Sequence, residues 1–202
     1  MRWSEPRPLE DLEHELEVSL ATEWAEKVKQ LYAAGRFAAH QALEGLGSKS
    51  SAIPRGDSGA PIWPEGTVGS ITHTEGIALA VVGAEGKVTA LGIDIEKEGR
   101  VLSSGLVEKV SSDKEKAWIR GGDSNFRLLR VLSAKEAIFK AVFSLAQIRL
   151  GFLEAELEEK EGGFSVKILH SRVSKEWPTL KFFLNQSIWN GYLVSALCLK
   201  GK

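Results

Sequence analysis

From Val88 to Glu96 the chain runs Val-Thr-Ala-Leu-Gly-Ile-Asp-Ile-Glu, and its last residues, Ile93-Asp94-Ile95-Glu96, alternate apolar and acidic side chains with the period of a β-strand. Asp94 and Glu96 therefore share one face while Ile93 and Ile95 share the other. The isoleucines anchor the strand in a core, so two carboxylates stand side by side on a fixed backbone. A second stretch, Ser133-Ala134-Lys135-Glu136-Ala137-Ile138-Phe139-Lys140, reads as a helix start. Its spacing puts Glu136 and Lys140 one turn apart on one face. A fold that lays this face on that strand brings three carboxylates and an ammonium together.

Such a cluster repels itself unless a cation lies in it. Three oxygen ligands with room for water suit Mg²⁺ better than Zn²⁺. Mg²⁺ held by few carboxylates completes its octahedron with substrate phosphates, which points to phosphoryl-type transfer. Plainer readings of the same residues stand beside this one. An Asp-x-Glu pair on a half-exposed strand is commonly a solvated face. Ser133 and Glu136 also fit a Ser-x-x-Glu capping box, and Glu136 with Lys140 fits an ordinary i,i+4 pair worth about 0.2–0.5 kcal/mol.

The rest of the composition narrows the classes. With 202 residues, 43% of them hydrophobic, the chain can bury a real core as one domain or two small ones. The 26 Lys and Arg nearly balance the 27 Asp and Glu, so no global basic field argues for nucleic acid. The start, Met1-Arg2-Trp3-Ser4-Glu5-Pro6, has no apolar leader, and no run reaches the length of a membrane span. A cytoplasmic enzyme or binding protein with no membrane partner is the expectation. Cys198 is the only cysteine, which excludes an intrachain disulfide framework. It lies in an apolar run, Tyr192 to Leu199, that reads as a C-terminal core strand.

Apolar positions at helical spacing between Leu9 and Leu43 predict two helices, broken near Ser19 to Thr22 and stopped by Gly45 and Gly47. Residues 48–66 read as a long surface loop. Val68 to His73, Ile77 to Val82 and Val88 to Glu96 read as consecutive strands of one antiparallel sheet. A charged helix is expected from Leu106 to Ile119, a break at 121–124, and then the helix opened by Ser133. Strands follow near Phe164 to Leu169, Lys181 to Leu184 and at the C-terminus. Helix followed by sheet thus occurs twice, which predicts an α+β fold of two similar halves, residues 1–104 and 105–202. The Asp94/Glu96 strand and the Glu136 helix are expected at their seam.

The order and spacing of five segments resemble the 4′-phosphopantetheinyl transferases of the enterobactin and surfactin synthetase type. They are Ala34-Gly35-Arg36-Phe37-Ala38-Ala39, Arg55-Gly56-Asp57, Pro61 to Gly66 leading into Gly69-Ser70-Ile71-Thr72-His73, Gly92 to Glu96, and Ser133-Ala134-Lys135-Glu136 with Lys140. The resemblance runs from about Lys29 to Phe152 and continues more weakly to the C-terminus. It implies a pseudo-twofold α+β fold with the active site in the cleft between halves. The implied reaction moves the phosphopantetheine arm of coenzyme A to a serine of an acyl or peptidyl carrier protein, releasing 3′,5′-ADP. Family members begin with an extra strand, for which the segment ahead of Leu9 is short.

By the same resemblance Asp94, Glu96 and Glu136 are the ligands of Mg²⁺, with Mn²⁺ as the alternative. Lys135 and Lys140 are the phosphate-facing lysines, and Glu136 with Lys140 forms the catalytic pair. Whether Glu136 or a metal-bound water takes the serine proton stays open. Arg36, Arg55, Thr72 and His73 are implied to grip coenzyme A, and arginine's planar fork suits phosphate. His14, His40 and His170 form no metal spacing. A catalytically idle carrier-binding relative and a Mg²⁺-dependent nuclease or phosphodiesterase are the alternative functions. Neither explains both the intact carboxylates and the coenzyme A segments. An internal pseudo-twofold points to a monomer. An acidic carrier protein would dock on a basic surface, for which Lys109, Lys114, Lys116 and Arg120 are the candidates.

Overall fold

The protein is described by a computed structural model covering residues 1–48, 51–176 and 182–200. Its contacts divide into two compact units, Met1–Leu91 with Lys200–Lys202, and Gly92–Leu199. The division falls inside a strand, and Asp94 and Glu96 lie in the second unit.

The first unit opens on a short strand, β1 (Arg2–Ser4), then a 3₁₀ turn (Leu9–Asp11), α1 (Glu15–Ala21) and α2 (Glu26–Gly45). Strands β2 (Thr67–Thr74) and β3 (Ile77–Ala84) pair antiparallel, and β1 lies on the other edge of β3, with Arg2 opposite Ala80 and Ser4 opposite Ala78. The additional N-terminal strand is therefore present, only short. Helix α2 buries Ala34, Ala38, Ala39 and Leu43, and small residues there let the helix approach the sheet closely. At Gly35 an added methyl would press on Cγ2 of Ile71 at 2.9 Å. Ala38, Ala39, Leu43, Ile53 and Ala80 form the core under this helix, with Trp63, Ile71 and Val82 against it.

β4 (Val88–Lys97) does not extend this sheet, contrary to the expectation of three consecutive partners. Both edges of β3 are already taken, and β4 instead begins a five-stranded sheet of order β4-β8-β7-β6-β5. Between β4 and the rest come α3 (Leu106–Val110), α4 (Asp113–Arg120) and α5 (Ser124–Ala146), then a 3₁₀ turn (Phe152–Glu154), β5 (Ala155–Lys160), β6 (Gly163–Ile168), α6 (Ser171–Glu176), β7 (Phe182–Trp189) and β8 (Tyr192–Lys200). The expected helix over 106–119 is two helices, because Ser112 caps α4 in a capping box with Glu115.

α5 starts well before Ser133. Its N-cap is Asp123, whose side chain accepts from the Phe126 amide, and it ends at Gln147 in the left-handed conformation, φ 54°. Ser133 is thus a helix-interior residue, and the capping-box reading of Ser133 and Glu136 is wrong. The strand β5 escaped the sequence reading, and Lys181, the expected start of β7, lies outside the described residues. Cys198 is exposed, since alternation along β8 buries Leu197 and Leu199 and turns the residue between them outward. Among the described residues no helix is long and apolar enough to cross a membrane.

Candidate active site

Strand β4 is buried on both faces. Leu91, Ile93 and Ile95 are nearly inaccessible, but so are Asp94 and Glu96, at 3% and 6% exposure. The solvated-face reading of this Asp-x-Glu pair therefore fails. What covers β4 is α5, and Gly92 sets the contact: a methyl there would overlap the carbonyl oxygen of Ala137. Only a residue without Cβ permits this approach of strand to helix. One turn on, the Lys140 ammonium donates to the Ile93 carbonyl at 3.0 Å and to Asp94 Oδ1 at 2.9 Å. Just past the end of the strand, Arg100 donates to Glu96 Oε1.

Glu136 completes the group electrostatically. Burial pushes its carboxyl above the usual carboxylate range, and the charges of Asp94 and Glu96 push further, against the pull of Lys140 and Arg100. Glu96 is raised too, by burial first, with Asp94 adding and Arg100 opposing. Glu96 Oε2 is buried and has no hydrogen-bond partner. Raised carboxyls and an orphaned acceptor oxygen on Glu96 are features that a nearby cation would relieve. Among the described residues no three His, Cys, Asp or Glu side chains are gathered so that they could hold a metal ion, and Asp94, Glu96 and Glu136 are no exception. Lys140 and Arg100 occupy Asp94 and Glu96 in their place.

Lys135 does not join this site. Its side chain is wholly buried, and its ammonium donates to Glu115 Oε2 at 2.8 Å, Val110 O at 2.7 Å and Phe152 O at 2.8 Å. All three donors are used, so no N–H is left for a phosphate, and the expectation of a phosphate-facing Lys135 is corrected. Glu115 in turn accepts from the amides of Ser112 and Leu157 at 2.7 and 2.8 Å. The pair ties α3, α4, α5 and β5 together. Ser133 is equally internal, sharing a 2.8 Å hydrogen bond with Ser195, which also accepts from Gln186 Nε2 at 2.9 Å. That network fixes α5 on β8 and β7.

In the first unit, two of the expected coenzyme A residues stand on aromatic rings. The Arg36 guanidinium lies 4.6 Å over Tyr32, one helical turn earlier in α2, and Arg55 lies 5.3 Å over Trp24. Trp24 and Tyr32 meet edge to face at 5.1 Å, so the two arginines share one aromatic base. Arg36 is only 5% exposed, with its Nε lacking a hydrogen-bond partner. Burial raises the Tyr32 hydroxyl pKa, and Arg36 beside it pulls the other way. Thr72, buried, and His73, exposed, are neighbours on β2 and so project from opposite faces of the strand. Trp24 and Tyr32 were not singled out in the sequence; the i,i+4 spacing of Tyr32 and Arg36 was the available signal.

On the expected basic docking surface three of the four cations are paired with carboxylates. Lys116 pairs with Glu108 at 2.9 Å and with Asp113 at 3.4 Å, Arg120 with Glu108 at 3.1 Å, and Lys114 with Glu156 at 3.7 Å.

Residues 16–83 match the 4′-phosphopantetheinyl transferase N-terminal domain, and residues 90–195 match the 4′-phosphopantetheinyl transferase superfamily. The second match spans both β4 and α5. The chain is 34% identical over 201 residues to the 4′-phosphopantetheinyl transferase Npt of Nocardia iowensis, covering 93% of this chain and 90% of that protein. It is 40% identical over 124 residues to the 4′-phosphopantetheinyl transferase PptT of Mycobacterium tuberculosis, covering 60% and 54%. It is also 35% identical over 119 residues to enterobactin synthase component D of Salmonella typhi, covering 57% and 48%. A carboxylate strand laid on a Glu-Lys helix, within matches that together span most of the sequence, makes the chain a member of the 4′-phosphopantetheinyl transferase superfamily.

Proposed function

We propose that the protein is a monomeric cytoplasmic enzyme that transfers the 4′-phosphopantetheine arm of coenzyme A to a serine of an acyl or peptidyl carrier protein. The observation that carries this reading is the β4–α5 contact, where the buried carboxylates of Asp94 and Glu96 and the half-buried one of Glu136 act on one another with only Lys140 and Arg100 to offset them. Asp94, Glu96 and Glu136 would hold Mg²⁺, which when bound supplies neutralising charge to the diphosphate. The serine hydroxyl oxygen attacks the phosphorus bearing the pantetheine arm. The bond from that phosphorus to the oxygen of 3′,5′-ADP breaks, and the leaving phosphate takes the electron pair.

Glu136 is placed to take the serine proton. Burial and the neighbouring carboxylates raise its pKa in the metal-free protein, whereas a bound cation would lower it again, so water is the alternative base. Lys140, already aimed at Asp94, provides positive charge beside it for the phosphoryl oxygens. Arg36 and Arg55 on their aromatic base suit the phosphate-rich nucleotide end of coenzyme A, with Thr72 and His73 on separate faces of β2.

Incubation with coenzyme A, Mg²⁺ and an apo carrier protein, read by intact mass, is expected to show the carrier gain one phosphopantetheine. Unmodified carrier across fatty-acid, polyketide and peptide-synthetase types would reject the assignment. Arg55→Ala is expected to weaken coenzyme A far more than 3′-dephospho-coenzyme A, and equal weakening would remove Arg55 from the 3′-phosphate.

A further inference from the structure

Glu17 on α1 is wholly buried, an expensive place for a carboxylate unless its oxygens are satisfied. They are. His40 Nε2, from α2, lies 3.0 Å from both oxygens, and the backbone amide of Ile53 donates to Oε1 at 2.6 Å. His40 in turn packs on the His14 ring at 4.8 Å. One carboxylate thus joins two helices to the start of the loop that carries Arg55.

From that point the loop is closed by its own backbone. The Ile62 amide donates to Pro54 O at 2.8 Å and the Gly56 amide to Ala60 O at 2.9 Å, while Arg55 and Pro61 face each other across an antiparallel bridge. Gly59 has φ +87°, and a methyl on it would crowd Arg55 Nη2 at 3.0 Å, so the turn also shapes the space around the guanidinium. Ile53 itself is fully buried in the core beneath α2. The turn behaves as a rigid tab whose root is fixed by Glu17.

We propose that Glu17 and His40 are positioning residues for Arg55, holding the 53–62 turn so that the guanidinium is pre-formed for a phosphate of coenzyme A. This rests on the proposed function. A root fixed before binding spares the ligand the entropic cost of ordering the turn, and that saving appears as affinity. Neither residue touches the ligand in this account.

The test is a set of double-mutant cycles. Glu17→Gln keeps the shape and one acceptor for Ile53, and His40→Ala removes the other partner at a half-buried site, which guards against one variant failing to fold. Each is made alone and with Arg55→Ala. Calorimetry reads the Kd of coenzyme A, and steady-state kinetics read KM and kcat with an apo carrier. Glu17→Gln is expected to raise Kd and KM about tenfold, His40→Ala less, with kcat moving far less than KM. On the Arg55→Ala background both substitutions are expected to change Kd less than about twofold. Equal effects on both backgrounds, or loss in kcat alone, overturns the positioning role while the transferase reading stands. Wild-type protein that binds no coenzyme A overturns both.

Discussion

Replacing Lys135 by Met separates an internal tie from a phosphate contact. The side chain is inaccessible, and its removal strips donors from Val110 O and Phe152 O and the counter-charge from Glu115. Each buried carbonyl left without a donor costs about 1–3 kcal/mol. Glu115 keeps the amides of Ser112 and Leu157, so its carboxylate is only partly stranded. Relief of the buried ammonium's own desolvation offsets some of this, and breaking a buried pair from one side costs about 3–5 kcal/mol in total. Read by urea unfolding, about 4 kcal/mol lowers the midpoint by roughly 2 M at a typical slope. The Lys135→Met/Glu115→Gln pair is expected to recover about 1–3 kcal/mol, because no buried charge is then uncompensated. Burial also holds the Lys135 pKa below its ordinary value, with Glu115 opposing. Between the folded and unfolded values the unfolded chain binds more protons, so this contribution makes stability rise with pH, and Lys135→Met is expected to lose that slope. A variant that unfolds within about 1 kcal/mol of wild type but loses coenzyme A affinity would refute the buried placement.

Three further outcomes follow from the same coordinates. Gly92→Ala is expected to cost about 3 kcal/mol or more, with loss of transfer, because β4 must move off the Ala137 carbonyl; wild-type melting would show that strand and helix do not touch there. Glu136→Gln is expected to stabilise the metal-free protein while lowering kcat at least about 100-fold, since it removes a half-buried like charge and the proposed base; a destabilised or fully active variant contradicts one half or the other. Cys198, exposed on β8, is expected to react stoichiometrically with a thiol reagent in the native state, and protection until unfolding would contradict its outward position.

What could be read beforehand, and what could not, divides along physical lines. The 3.6 and 2.0 periods located β2, β3, β4, α2 and the C-terminal strand, because each buries one regular stripe or run. Sheet membership was not local information: β4 leaves β3 because β1, a strand of three residues, already holds that edge. The start of α5 was misplaced because Ser133 and Glu136 imitate a capping box, while the residue that caps, Asp123, sits in a Gly-Gly break that reads as loop. Lys135 is different, since helical geometry alone argues against its expected role. It lies five residues from Lys140, about 140° around the helix, so the two ammoniums cannot face one phosphate from adjoining turns. The Glu17–His40–Ile53 link had no sequence signal, as it joins positions with no shared period.

The two most telling segments of the sequence turn out to be opposite sides of one contact. Gly92 admits the backbone of α5, Lys140 returns from that helix to Ile93 O and Asp94, and Glu136 lies on the same helical face as Lys140. Packing alone does not require this chemistry, because Leu or Val at positions 94, 96 and 136 would fill a buried strand-helix contact without desolvating charge. Three carboxylates against the two cations Lys140 and Arg100 leave an excess of negative charge in a place where charge is costly. The excess is least costly when a further cation arrives. If the proposed function holds, the instability of the empty contact and the affinity of the site for a metal and a diphosphate are one property, and a substitution that stabilises the empty contact by removing a carboxylate should weaken the site in the same step.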